Sequence, residues 1–119
     1  MYDQAVKEAN EQIGKVYHVK MDRPIGTKHP KHPEILYPIN YGYIPGLLGG
    51  DDEEQDVYVL DSKVPLQEAD VTIIAVVYRA DDIETKWVGV MNPKSSYSEE
   101  TIANMISFQE QFYQSRVLM

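Results

Sequence analysis

The segment Val71–Tyr78 constrains the fold of this chain more than any other. It reads VTIIAVVY, a nearly continuous run of apolar and mostly β-branched residues. Such side chains favour strands, and a run without polar alternation indicates a strand that is covered on both faces. We therefore expect a buried central strand around which the rest of the chain is arranged.

Shorter runs of the same kind predict further strands at Val16–Met21, Tyr41–Ile44, Asp56–Leu60 and Lys86–Val90. Between the first two, residues 22–38 contain four of the seven prolines. Proline excludes a long helix or a central strand there, so this segment is predicted to be a long connection. A connection of that length is itself an indication of function.

Two helices are predicted at the ends of the chain. The first is Asp3–Ile13, with Asp3 as N-cap and Gly14 ending the helix. The second begins after Ser98, which is placed to cap it. Its core face is predicted from helical spacing: Ile102, Met105, Ile106, Gln109 and Phe112. Strands followed by a packing helix predict a small, mainly antiparallel α+β fold, or a barrel crossed by a helix.

Composition limits the class of protein. The 119 residues are expected to form one domain, residues 1–119, and no apolar stretch reaches the roughly 18 residues of a membrane span. The absence of cysteine and of a visible signal peptide favours a cytoplasmic protein. The net charge of −8 argues against a nucleic acid or an anionic membrane as partner.

The charges are distributed unevenly along the chain. Residues 15–32 hold five Lys or Arg and all three His against one Asp, whereas residues 51–56 hold five acidic residues and no basic one. A basic segment and an acidic one in a small fold predict an anionic substrate that cations bridge to carboxylates.

The first acidic segment follows two glycines, in GGDDEEQDVYV at residues 49–59. Asp51, Glu53 and Asp56 could converge there, and carboxylate oxygens without His or Cys suit Mg²⁺, or Mn²⁺. Taken alone, the stretch favours the alternative of a solvated turn between strands. The other polar residues of the turn are expected to face water: Asp52, Glu54 and Gln55.

A second acidic turn, with Asp81, Asp82 and Glu84, separates two later strands and ends at Lys86. It too could be a solvated turn. Two acidic turns at the ends of neighbouring strands make a shared metal site more plausible than either turn does singly.

Basic and aromatic residues complete the set of candidates. The cationic candidates for phosphate binding are Arg23, Lys28, Lys31 and Lys86. An exposed loop with solvated lysines is the alternative. In the segment YPINYGY at residues 37–43, Tyr hydroxyls could donate to a bound anion, or the tyrosines could simply form a half-buried edge.

Together, YPINYGYIPG and the following DDEEQDVYVL resemble the soluble inorganic pyrophosphatases of the Mg²⁺-dependent family I. RADDIETKWVGV resembles the second acidic loop of that family, and SFQEQFY is similar to its aromatic-rich terminal helix. The resemblance implies an OB-like five-stranded antiparallel barrel with helices packed outside, hydrolysis of pyrophosphate to two phosphates, and a homo-oligomer.

The resemblance also implies roles for individual residues. The implied metal ligands are Asp51, Asp56 and Glu84, supported by Asp81 or Asp82. The implied catalytic residues are Glu53 as the base that orients water, Asp56, Tyr41 and Lys86. The implied phosphate contacts are Tyr41, Lys86, Tyr113 and the basic candidates Arg23, Lys28 and Lys31, with Tyr37 supporting them from behind.

Two departures from the family pattern stand out. Glu53 occupies a position where the family usually has Asp, which lengthens the base by one methylene group. The terminal Tyr-Lys pair of the family falls near Phe112-Tyr113, so its Lys is lost, and Arg116 is the candidate to replace it. Two alternatives therefore stay open: hydrolysis of nucleotides or other di- and polyphosphates, and a non-catalytic phosphate-binding module.

Overall fold

The computed structural model describes residues 1–119. The elements in chain order are α1 (Tyr2–Gln12), β1 (Val16–Arg23), β2 (Asn40–Leu48), β3 (Glu54–Val59), β4 (Glu68–Arg79), β5 (Lys86–Val90), α2 (Glu99–Glu110) and β6 (Ser115–Leu118). Neither helix is long and apolar enough to cross a membrane.

Five of the six strands form a closed barrel. The strand order is β1-β2-β3-β5-β4-β6, and an additional pairing of β1 with β4 closes the ring. This confirms the predicted small barrel with two helices. One pair, β3 with β5, is parallel, so the barrel is mixed and not wholly antiparallel. The short strand β6 pairs with β4 outside the ring and was not predicted from the sequence.

All five barrel strands contribute to one apolar cluster, which fills the barrel. Its buried members are Ala9, Val19, Ile44, Val57, Val59, Val71, Ile73, Val76 and Trp87. The predicted central strand lies within β4, which pairs with β1, β5 and β6. Its apolar run is continuous because it is covered on one side by the barrel interior and on the other by α2.

A second cluster lies between the outer face of the barrel and α2, where Ile102 and Ile106 are fully buried. The Ser98 hydroxyl accepts a hydrogen bond from the Thr101 N–H, which confirms the predicted cap. Phe112 was assigned wrongly to the core face. It follows the end of α2 and its side chain is 44% exposed.

The predicted start of α1 was also wrong. The helix begins at Tyr2 with Met1 as N-cap, and no side chain caps it. Asp3 lies instead in the first turn, where its negative charge still interacts favourably with the helix dipole.

Candidate active site

A cleft of about 430 Å³ lies on the outer face of the barrel, between strands β3–β5, the connection 24–39 and the end of α2. Its lining combines acidic, basic and aromatic side chains: Asp22, Arg23, His29, Lys31, His32, Tyr37, Tyr41, Asp56, Arg79, Glu84, Lys86, Gln109, Phe112 and Tyr113. The cleft therefore brings together residues from the basic segment, the tyrosine motif and both acidic turns.

The two acidic turns meet beside this cleft. A Cβ atom on Gly50 would lie 2.7 Å from the carbonyl oxygen of Ile83, so only glycine permits this approach of the two turns. The carboxyl groups of Asp51 and Glu84 interact across the contact. Burial raises the pKa of Glu84, and the neighbouring Asp51 adds to this effect while Lys86 opposes it. Two turns distant in sequence thus share one group of carboxylates.

Lys86 lies at the centre of this group. Its Nζ is 2.5 Å from Asp56 Oδ2 and 3.0 Å from Glu84 Oε1. Burial lowers the pKa of Lys86, but the two carboxylates outweigh burial and hold its pKa above the usual range. The parallel register pairs Val57 with Trp87, which places the preceding residues Asp56 and Lys86 side by side. A permanent cation therefore lies between two carboxylates at the wall of the cleft.

A second ion pair, which was missed from the sequence, joins Arg79 at the end of β4 to Glu110 at the end of α2. Arg79 donates to both Glu110 oxygens, from Nε at 3.0 Å and from Nη2 at 2.6 Å. The Arg79 guanidinium also lies 3.7 Å above the ring of Tyr113. Burial raises the pKa of Glu110, but hydrogen bonds from Arg79, Ser115 and Tyr58 outweigh it and hold that pKa below its usual range.

A chain of buried hydrogen bonds connects this pair to the tyrosine motif. Tyr37 donates to Gln109, Gln109 donates to Tyr58, and Tyr58 donates to Glu110. Burial raises the pKa of Tyr41, and the nearby Asp56 charge raises it further, so its hydroxyl stays protonated as a donor. Tyr37 itself lines the cleft, and its hydroxyl is directed to Gln109.

Asn40 and Gly42 of the segment YPINYGY have structural roles. The Asn40 side chain accepts from the backbone N–H groups of Ile25 and Leu66 and donates to the Val64 carbonyl, which joins two loops. A Cβ atom on Gly42 would lie 2.1 Å from the Lys20 carbonyl oxygen, so strand β1 can pass only a glycine there.

Arg23 at the end of β1 and Lys31 in the connection belong to the lining, whereas Lys28 is exposed outside the cleft. Two histidines fasten this connection. His29 Nδ1 accepts from the backbone N–H groups of Lys31 and His32, and the His32 ring stacks on Phe112 with centroids 4.0 Å apart. Phe112 therefore packs against the connection and not against the core.

Several predicted site residues lie outside the lining of the cleft. Glu53 is exposed in the first turn. Asp81 accepts the Gln114 N–H at 3.2 Å, and Asp82 pairs with Arg79 at 3.3 Å. Arg116 lies on another surface, with its guanidinium 5.3 Å from the centre of the Tyr2 ring. It therefore does not replace the missing lysine in this structure.

Gln55 contradicts the expectation that it faces water. It is buried, and its Nε2 donates to the carbonyl oxygens of Asp56 and Thr85. It thus holds strand β3 to the end of the second acidic turn.

Asp22 and Arg79 line the cleft without having been predicted, and the unpredicted Tyr58 and Glu110 lie behind it in the hydrogen-bond network of Arg79. A signal existed for two of them. Arg79 directly follows the apolar run, and Glu110 adjoins Gln109, a polar residue that already fell on the predicted core face of α2. A charge at the end of a buried strand and a polar group on a core face each require a buried partner.

The acidic side chains fit a hard divalent cation by their chemistry. No three of the Asp, Glu and His side chains form a ready-made ligand group. The donors available are nonetheless all carboxylate oxygens, and Lys86 already provides a positive charge between Asp56 and Glu84. Asp51, Asp56 and Glu84 could therefore hold Mg²⁺ or a similar ion.

Comparisons with known proteins identify the family of the chain. The sequence matches a family model described as inorganic pyrophosphatase over residues 5–115. The chain belongs to the inorganic pyrophosphatase family, and is therefore an inorganic diphosphatase by family. A search of curated protein sequences found no match.

Solved structures of bacterial inorganic pyrophosphatases have the same fold. The protein of Ehrlichia chaffeensis is 16% identical, with a TM-score of 0.64 over 86% of this chain and 85% of that one. The protein of Coxiella burnetii is 18% identical, with a TM-score of 0.62 over 88% and 84%. The protein of Thermus thermophilus is 20% identical, with a TM-score of 0.60 over 87% and 80%.

Proposed function

We propose that this protein hydrolyses inorganic pyrophosphate to two phosphates in the cleft described above, in a reaction that depends on Mg²⁺. The observation that carries this proposal is the Lys86 ammonium between Asp56 and Glu84, beside Asp51 and facing a cleft that also holds Arg23 and Lys31. The family of the chain supports the same substrate.

The proposed metal ligands are Asp51, Asp56 and Glu84, with Asp82 supporting them through Arg79. Mg²⁺ held there would acidify a bound water and neutralise charge on the phosphates. Burial raises the pKa of Asp51, but the neighbouring Glu84 carboxyl group, whose own pKa is raised, and the hydrogen bond donated by the Glu53 N–H outweigh this and hold the pKa of Asp51 below its usual range. Its carboxylate is therefore ionised and available as a ligand at neutral pH.

The proposed phosphate contacts are Tyr41, Lys86, Tyr113, Arg23 and Lys31. Lys86 remains charged because two carboxylates raise its pKa, and it can exchange one of them for a phosphate oxygen. Tyr41 remains protonated and can donate to the same anion. Positive charge fixed in the wall of a cleft stabilises the charge that develops as the anhydride bond breaks.

We propose Glu53 as the base that orients the attacking water. Its support is its place in the first acidic turn, two residues after Asp51, whose side chain accepts the Glu53 N–H at 3.1 Å. Because the Glu53 side chain is exposed outside the cleft, this role requires the turn to close when cation and substrate bind. Such a closure predicts that substrate protects the turn from proteolysis.

The central experiment is an assay of phosphate release from pyrophosphate by the purified chain with Mg²⁺ and with EDTA. We expect activity only with Mg²⁺, and a loss of about 10³-fold in Asp56→Asn. Asp70→Asn is the matched control, because Asp70 is an exposed carboxylate that pairs with His18 away from the cleft. Full activity of Asp56→Asn would contradict the proposed site.

A substrate panel at fixed Mg²⁺ tests the choice of substrate. Pyrophosphate should be hydrolysed far faster than ADP, ATP or tripolyphosphate. Comparable rates for nucleotides would favour the broader hydrolase. Tight binding of pyrophosphate in calorimetry, with no phosphate released over hours, would favour a binding module.

A further inference from the structure

Helix α1 makes side-chain hydrogen bonds to the start of the strand that carries Lys86 through one carboxylate, that of Glu8. Glu8 Oε2 accepts the Thr85 hydroxyl at 2.7 Å, and Glu8 Oε1 accepts the Trp87 Nε1–H at 3.3 Å. These two donors flank Lys86 in the sequence. Glu8 has no part in the cleft itself.

The geometry of a strand explains why this contact matters for Lys86. Successive side chains of a strand point to opposite faces. Trp87 packs into the barrel interior with Ala9 of α1, whereas Lys86 points to the cleft on the outer face. By holding Thr85 and Trp87, the Glu8 carboxylate fixes the face opposite to Lys86 and thereby the direction of the Lys86 side chain.

Beyond the apolar packing of Trp87 in the barrel core, the Glu8 carboxylate provides the side-chain hydrogen bonds that hold this segment from that side. A cavity of about 520 Å³ lies between α1 and the two acidic turns, and Glu8, Thr85 and Glu84 all line it. Glu84 thus separates this cavity from the cleft, because it lines both. Glu8 accepts from the Thr85 hydroxyl, and the Gln55 amide donates to the Thr85 carbonyl oxygen at 2.9 Å. A loss of the Glu8 contact would remove the hydrogen bonds that hold the Thr85 and Trp87 side chains beside this cavity, so the end of the second acidic turn could shift toward it.

We propose that Glu8 is a positioning residue for pyrophosphate hydrolysis, which sets the placement of Lys86 and Glu84 through Thr85 and Trp87. This inference rests on the proposed function. Displacement of a catalytic group by about 1 Å is enough to reduce a rate about 10²-fold. A carboxylate suits the role because its two oxygens accept both hydrogen bonds at once, whereas a Gln side chain has one acceptor oxygen.

The test compares Glu8→Ala, Glu8→Gln and Glu11→Ala. Glu11 lies on the same helix and pairs only with Lys7, at 4.0 Å, so its substitution removes an equal charge without touching β5. We expect kcat to fall about 10- to 100-fold in Glu8→Ala with KM within about threefold of wild type. We expect Glu8→Gln to be intermediate and Glu11→Ala to match wild type.

Two further measurements separate positioning from a general loss of stability. Trp87 is the only tryptophan, so its fluorescence reports on this contact in the folded, metal-free protein. Its emission should change in Glu8→Ala and not in Glu11→Ala. The fall in kcat should persist at temperatures well below the unfolding transition of the variant, because a purely stabilising residue would leave the folded fraction fully active.

A double-mutant cycle gives a second, independent criterion. Thr85→Val should lower kcat, whereas Thr85→Ser, which keeps the hydroxyl, should leave kcat near wild type. Glu8→Ala should reduce kcat by a smaller factor in the Thr85→Val background than in wild type. Wild-type kcat in Glu8→Ala, or additive effects in the cycle, would overturn the inference while the proposed function stands. An inactive wild-type protein would instead refute the proposed function, and this inference with it.

Discussion

Two ion pairs border the same cleft, and they differ in almost every physical respect. In the Arg79–Glu110 pair both side chains are at most 5% exposed, the contact is a two-pronged fork, and the carboxylate also accepts Tyr58 and Ser115. In the Lys86–Asp56 pair the ammonium is 6% exposed but the carboxylate is 23% exposed and opens to the cleft.

This difference indicates that the two ion pairs beside the cleft have different roles. Arg79–Glu110 has no free hydrogen-bonding capacity on the carboxylate, so it fixes the end of α2 to the end of β4. Lys86 is a compact charge with rotatable donors that can turn toward a phosphate, and its carboxylate partners can turn toward a cation. The first pair is expected to contribute to stability and the second to activity.

The largest effect is expected when Glu110→Gln breaks the buried Arg79–Glu110 pair. The substitution removes the negative charge that balances the buried Arg79 guanidinium. The free energy of unfolding should therefore fall by about 3–5 kcal/mol. Urea denaturation measures this loss. At urea concentrations below the unfolding transition, the folded variant should keep a kcat within about tenfold of wild type. A loss of activity without a loss of stability would contradict the distinction between the two ion pairs.

Lys86→Met breaks the partly exposed Lys86–Asp56 pair. It should reduce activity strongly and stability only slightly. We expect kcat/KM for pyrophosphate to fall about 10²–10³-fold, because a positive charge in the cleft wall is lost. The free energy of unfolding should change by less than half the Glu110→Gln value, since Asp56 and Glu84 can be solvated from the cleft. Equal destabilisation by the two variants would remove the distinction between the pairs.

Glu53→Asp tests the proposed base in the first acidic turn. Shortening the proposed base by one methylene group should raise kcat about two- to tenfold if the longer side chain misplaces the water. Steady-state kinetics at saturating Mg²⁺ measure this change. Glu53→Ala is the companion variant, and full activity there would exclude Glu53 as the base.

The smallest effect is expected from His18, which forms an exposed ion pair with Asp70 and Glu68 away from the cleft. Hydrogen bonds that the protonated His18 ring donates to the carboxylates of Asp70 and Glu68 raise the pKa of His18 above its usual value. A folded-state pKa above the unfolded one gives a stabilisation that is complete below about pH 6.5 and disappears as pH rises through the folded pKa. His18→Gln should therefore destabilise slightly at about pH 5.5 and not at about pH 9, as measured by urea unfolding.

Much of the fold followed from the sequence because its strong signals were local. The β-branched run in β4, the Ser98 cap and the proline-rich connection each reflect the preferences of neighbouring residues. β6 was missed because its four residues have no recognisable pattern of their own and become a strand only by pairing with β4. The parallel pairing of β3 with β5 is likewise a property of the closed ring.

The site was predictable to the extent that motif residues reach it directly. Tyr41, Asp56, Glu84 and Lys86 line the cleft as expected. The Arg79–Glu110 pair was not foreseen, because its two residues are 31 positions apart and lie in two different quoted segments, RADDIETKWVGV and SFQEQFY, whose contact depends on the fold. The side-chain directions of Glu53 and Gln55 depend on where the turn ends and β3 begins, which spacing alone could not fix.

The parallel pairing of β3 with β5 has a consequence for how the site is assembled. It places Asp56 beside Lys86, although the two are 30 positions apart in the chain. Such contacts form only when distant segments meet, which is a slow step in folding. A peptide that contains the whole stretch 37–60 should therefore have no site. The capacity to bind substrate should appear during refolding only when the barrel closes, so substrate binding can serve as a late marker of the native state.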